Sequence, residues 1–355
     1  MQQQFVAKTS PYIRKEASTK RMMIDVLIAL VPSVAFAIYK FKLNALWILL
    51  VSIAVMVLTE VASLLLFDRG ETGTFIQKVK QRYQKLSINH ITAPMVSAVI
   101  YALLIPDKMN LGVVAFGAFV GIFVGKMIFG GLGTNIFNPA ATGCVIIALA
   151  FASFFQGSYS GVDAVSGATP LSSGFPFGLD SYSLSSLFFG NIPGSIGEVN
   201  SFAILIGAAY LFIRRSADFR PALSALLVFV VLSAIVGFVK YPNDAFNYVL
   251  YQVLSGGLLF GLAFMITDPV TSPVTRPGRW IYGLIVGTLV FAIRLFGVLP
   301  EGVAFALLIA NALVPLLDYP KWASNAYSKK FIIGYVTSFV VISLLTFLVV
   351  GGYII

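Results

Sequence analysis

Apolar residues along this chain come in long blocks rather than in alternation. Eleven blocks run near 22–39, 43–67, 91–105, 111–129, 140–156, 201–213, 221–239, 248–266, 280–298, 302–317 and 331–353. About 20 apolar residues in a helix cross the hydrocarbon core of a bilayer. The pattern therefore predicts an all-α integral membrane protein with ten to eleven transmembrane helices. The blocks at 91–105 and 201–213 are short and read as tilted, broken or re-entrant elements. Polar breaks rich in Gly and Pro interrupt the pattern at 130–139, 267–273 and 299–302, and a smaller one lies at 105–107. The stretch from Gly112 to Cys144 matches that from Gly283 to Ala310 in rhythm. Five blocks precede the segment 157–200 and five follow it before the last, and an odd number per half inverts the halves relative to the membrane. The expected architecture is one membrane domain. It holds two inverted five-helix repeats with broken helices, at 22–156 and 201–318, and an additional helix at 331–353. In such plans, sites lie at interrupted helices near the repeat interface.

Two segments stand outside the blocks. Within 74–86, Phe75, Ile76, Val79, Tyr83 and Leu86 share an arc of about 100° at helical spacing, and Lys78, Lys80, Arg82 and Lys85 fall outside it. That pattern predicts a basic helix lying on the membrane surface or docked on a partner subunit. The segment 157–200 has no Lys or Arg, and Gly, Ser and Pro make up 21 of its 44 residues. Loops of this length are uncommon unless functional or disordered.

Charge fixes the orientation. Charged residues are only 11% of the chain, against about a quarter in soluble domains. The net charge of +10 does not point to nucleic acid, because the basic residues sit in short runs between the blocks. With the N-terminus inside, 19 Lys and Arg fall on inner segments and 4 on outer ones. That bias predicts a cytoplasmic N-terminus at 1–21 and an extracytoplasmic loop at 157–200, in a bacterial or archaeal cytoplasmic membrane. One His and one Cys exclude an iron–sulfur cluster, an internal disulfide and a His-pair zinc site within the chain. No catalytic side chain and no metal are expected.

The sharpest local signal is Asp163-Ala164-Val165-Ser166-Gly167-Ala168-Thr169-Pro170-Leu171. It sets a Thr hydroxyl beside two small residues that allow close approach, with one carboxylate nearby and a Pro fixing the exit. From residues alone this suits a modification acceptor, and it also suits an ordinary Ser/Gly turn. The motif resembles the acceptor for covalent flavin mononucleotide. Two more anchors accompany it, Phe129-Gly130-Gly131-Leu132-Gly133-Thr134-Asn135-Ile136-Phe137-Asn138-Pro139-Ala140 and Thr267-Asp268-Pro269-Val270-Thr271-Ser272-Pro273. Over roughly residues 10–320 the chain is similar to the RnfD/NqrB family, the large membrane subunits of ion-pumping ferredoxin:NAD and NADH:quinone oxidoreductases.

The resemblance implies FMN in phosphoester linkage to Thr169, within Asp163, Ser166, Gly167 and Ala168, installed by a flavin transferase. It implies partner subunits carrying flavin and iron–sulfur centres, and transfer of electrons between them while Na⁺ or H⁺ crosses the membrane. The short stretch before the first block favours the RnfD branch, and the block at 331–353 departs from the family pattern. At Asn135 and Asn138 a half-helix start would offer free N–H groups to a flavin ring, or would be a packing break. The break at Asp268 and Thr271 suits a second, non-covalent flavin, an ion path or a helix cap. Asp25, Glu60 and Arg294 fall in or near spans, where their cost makes them functional candidates; Asp25 and Glu60 could instead snorkel, and Arg294, the deepest, is either paired or snorkelling. Cys144 reads as core and His90 as capping or surface. Two other classes stay open. One is a solute channel or transporter on a urea-channel-like inverted-repeat scaffold, and the other is a scaffold subunit without cofactor.

Overall fold

A computed structural model describes residues 19–67, 73–159, 182–296 and 302–353. All regular structure among them is helical. The elements are α1 (Thr19–Phe67), α2 (Phe75–Lys85), α3 (Asn89–Leu104), α4 (Leu111–Gly125), α5 (Pro139–Ala150), α6 (Ala152–Gly157), α7 (Leu184–Phe189), α8 (Ser201–Arg214), α9 (Phe219–Lys240), α10 (Ala245–Leu254), α11 (Leu258–Phe260), α12 (Arg276–Phe296), α13 (Val303–Leu317) and α14 (Lys329–Val350). A 3₁₀ turn, Met127–Phe129, follows α4, and a π-helical turn, Gly261–Met265, follows α11.

Each apolar block coincides with helix, and the chain is a multi-pass membrane protein. Among the described residues five helices have the length and apolar character to span a bilayer: α1, Leu111–Phe129, α9, α12 and α14. Two bent pairs raise the number to seven, α2 with α3 at 80° and α10 with Leu258–Met265 at 58°. The blocks at 140–156, 201–213 and 302–317 form the shorter apolar helices α5, α8 and α13. α1 merges the first two blocks. Its 49 residues would extend about 74 Å, over twice a hydrocarbon core. Lys42 breaks it with φ 51° and ψ −128°. Next to this break the Lys40 ammonium donates to the carbonyls of Gly190 (2.7 Å) and Ile192 (2.5 Å).

Between spans there is no hydrophobic drive, so close approach of small residues takes over. Gly117, Gly121 and Gly125 recur every fourth residue on α4. A Cβ at Gly121 would stand 2.6 Å from the Pro139 carbonyl of α5, and one at Gly143 would stand 2.5 Å from the Gly117 carbonyl. In the second half Gly283 and Gly287 of α12 meet the carbonyls of Pro221 and Ala225 on α9 in the same way. These contacts hold α4 on α5 and α12 on α9, and so fix where the interrupted segments between them lie.

The later part of the segment 157–200 is not a surface loop. After α7, residues 192–200 are buried. The N–H groups of Ile196 and Gly197 donate to the carbonyls of Ile105 (3.1 Å) and Leu103 (2.8 Å), which the end of α3 leaves unpaired.

Candidate functional site

The two polar breaks at 130–139 and 267–271 are about 130 residues apart in sequence, and the fold brings them to one pocket. The pocket is partly open, with a cavity volume of about 70 Å³. Its walls are apolar: Met22, Met23 and Val26 of α1, Val96 and Ile100 of α3, Leu132, Leu211 of α8 and Phe264. Its polar groups are Lys126, Asn135, Asn138, Thr267, Asp268, Ser97 and Ser216.

Local chemistry explains each position. Asn138 is the N-cap of α5, and its Oδ1 accepts from the N–H groups of Ala140 (3.0 Å) and Ala141 (3.2 Å). Pro139 occupies the first helical position, where no N–H is needed. The free N–H groups expected at this half-helix start are therefore not free. Asn138 has already taken them, and a ligand must be met by side chains instead. The Asn135 amide donates to the Phe137 carbonyl at 3.1 Å, and its Oδ1 accepts no bond among the described residues. Asp268 caps its own turn, accepting from the Val270 N–H (3.1 Å) and the Thr271 hydroxyl (2.9 Å). Thr271 is buried behind the pocket.

Lys126, Glu60 and Asn311 surround the site, and the sequence pattern singles out only Glu60 among them. Lys126 is buried, and its ammonium lies 2.6 Å from Glu60 Oε2. Lys126 and Asp268 both line the pocket. Glu60, expected to snorkel, is 1% exposed. It stays inside because the partner cation is there, since an unpaired carboxylate at that depth would be several kcal/mol more costly. Asn311 of α13 is fully buried. With its amide oriented to satisfy both neighbours, it accepts from the Asn138 N–H at 3.1 Å and donates to the Thr271 carbonyl at 3.2 Å. Its amide also lies 2.6 Å from the hydroxyl of Tyr282 on α12. Asn311 thus braces one break against the other. The only sequence signal was an amide inside an apolar block.

The other flagged residues fall elsewhere. Asp25 does not snorkel. It is buried and accepts from the hydroxyls of Ser216 and Tyr210, with the Arg214 guanidinium at 3.4 Å. Arg294 is 4% exposed and donates to the carbonyls of Gln252 (2.6 Å) and Ser255 (3.0 Å), with the Phe229 ring 5.0 Å from its guanidinium carbon. Cys144 is buried in the core, and His90 Nδ1 accepts from the Ser87 N–H at 3.0 Å near the start of α3. Thr169, Asp163, Ser166, Gly167 and Ala168 lie outside the described residues.

Comparison with known proteins adds a separate line. A family model described as the NQR2, RnfD, RnfE family matches residues 6–325. The chain is 30% identical to a subunit of the Na(+)-translocating NADH-quinone reductase of Stutzerimonas stutzeri, covering 88% of this chain and 87% of that protein. It is also 30% identical to a subunit of the proton-translocating ferredoxin:NAD(+) oxidoreductase complex of Clostridium ljungdahlii, covering 88% and 93%.

Proposed function

The chain belongs to the NQR2, RnfD, RnfE family, and from that premise we propose that it is the membrane subunit of an ion-translocating electron-transport complex with covalent FMN on Thr169. The observation that carries the reading is the convergence of the two distant breaks on one pocket of mixed character. An isoalloxazine ring has an apolar edge and a hydrogen-bonding edge, and the pocket offers both. Its apolar walls suit the first, and Asn135, Lys126 and Ser97 suit the second. We read this pocket as the place of a second, non-covalent flavin. A bound flavin supplies one- and two-electron redox chemistry. The chain holds the ring, excludes water from its apolar faces and sets the charge around it.

In this reading ten to eleven helices form two inverted halves, the N-terminus is cytoplasmic, and the Thr169 loop faces outward. Electrons pass between subunits that carry flavin and iron–sulfur centres while Na⁺ or H⁺ crosses. A flavin transferase loads Thr169. We place the complex on the ferredoxin:NAD branch; the equal identity to both kinds of relative is neutral, and comparing reduced ferredoxin with NADH as donor to the purified complex tests the placement.

In-gel flavin fluorescence of the denatured subunit tests the central claim. The wild type is expected to fluoresce, and Thr169→Ala to lose the signal entirely while remaining in the membrane. Fluorescence that persists in Thr169→Ala would sink the assignment, and a dark wild type would favour the channel or scaffold classes. The outward loop is tested with Ser181→Cys, which should react with an impermeant thiol reagent on intact cells. Reaction only after lysis would overturn the topology.

A further inference from the structure

We propose that α2 is an in-plane surface helix that binds the anionic headgroups of the adjoining lipid leaflet. α2 meets α3 at 80°. If α3 runs across the bilayer, α2 lies nearly parallel to its surface. The helix is tied to the bundle by Arg82, whose guanidinium donates to the Leu65 carbonyl of α1 at 2.8 Å. The apolar arc is nonetheless left largely uncovered. Phe75, Ile76 and Tyr83 are 64%, 80% and 68% exposed.

Two observations select lipid as the occupant of that arc. The first is continuity, because exposed Leu66 and Phe67 end α1, and exposed Ile88 and Ile91 begin α3 on the far side. The arc joins two exposed apolar surfaces, at the end of α1 and the start of α3. The second is charge. On a helical wheel Lys78 and Lys80 stand on opposite edges of the arc. That arrangement lets the apolar face sink into the acyl boundary while both ammonium groups reach up to phosphates on either side. Charge on both edges suits a uniform anionic surface.

The full chain in nanodiscs tests the proposal, with Cys144→Ala as background. Ile76→Cys and Gln81→Cys, each labelled with an environment-sensitive fluorophore, compare the apolar arc with the opposite face. Emission from position 76 should shift to the blue and be quenched by spin-labelled acyl chains, and emission from position 81 should stay water-like. Retained phosphatidylglycerol relative to phosphatidylcholine, counted per purified chain, should fall about ten- to thirtyfold in Lys78→Gln/Lys80→Gln. Water-like emission at both positions would overturn the proposal and leave the arc to a partner subunit. Quenching at position 76 with no change in lipid preference in the double variant would overturn the headgroup claim.

Discussion

Two interruptions of helix in this molecule have opposite fates. At Ser255–Gly257, α10 stops and α11 begins after a bend, with Gly256 at φ +64°. The carbonyls stranded there are taken by Arg294, which is itself buried under Phe229. The break is sealed. At 130–139 and 267–271, the stranded groups are taken by the breaks' own side chains, Asn138 and Asp268. A third residue, Asn311, braces the two breaks from behind. The front is left open as a pocket with polar groups to spare. An interrupted helix in a membrane is thus not by itself a site. What matters is whether its orphan groups are capped locally, which leaves room, or by an imported side chain, which fills it.

The largest expected effect falls on the charge pair beside the pocket. Lys126→Met leaves Glu60 buried without its cation and should cost about 3–5 kcal/mol, read as a lower Tm in detergent. The double variant Lys126→Met/Glu60→Leu should recover most of that stability, because no charge is left stranded. It should not recover flavin extracted from the pocket. Full recovery of both would show that the pair serves packing alone.

At the sealed break, Arg294→Leu should cost about 2–5 kcal/mol by orphaning two buried carbonyls. Protein that still folds should keep its full flavin content, because this break holds no ligand. Wild-type stability and assembly in this variant would mean that the carbonyls find other partners and that the break is not sealed as described.

Asn311→Leu should cost about 1–3 kcal/mol through the Asn138 N–H and the Thr271 carbonyl. Non-covalent flavin, extracted and quantified per chain, should be lost, while in-gel fluorescence from covalent flavin persists. Loss of both together would point to general unfolding and erase the distinction between the two breaks.

Asn135→Ala is the smallest and sharpest test. Its carbonyl oxygen accepts no bond among the described residues, so stability should change by less than about 1 kcal/mol. Retention of extractable flavin should nonetheless fall. A variant with unchanged flavin content would show that Asn135 does not face the ligand.

The sequence by itself determined the class, the positions of the helices and the two breaks that matter. These follow from local rules: apolar length, the conformational demands of Gly and Pro, and the cost of charge in hydrocarbon. It also marked Asn135, Asn138, Asp268 and Thr271, as ligand contacts or as plain caps and packing breaks. Only the tertiary structure decided what these residues do. Asn138 consumes the N–H groups that a ligand was expected to find. Glu60 and Asp25 stay buried where snorkelling was expected, because Lys126 and Ser216 reach them from other parts of the chain. Arg294 is paired, and its described partners are main-chain carbonyls. Asn311 is read as a brace only once α13 is packed behind both breaks. Partners so far apart in sequence carry no local signature, since the energy of a buried polar group depends on what long-range packing sets within about 3 Å of it.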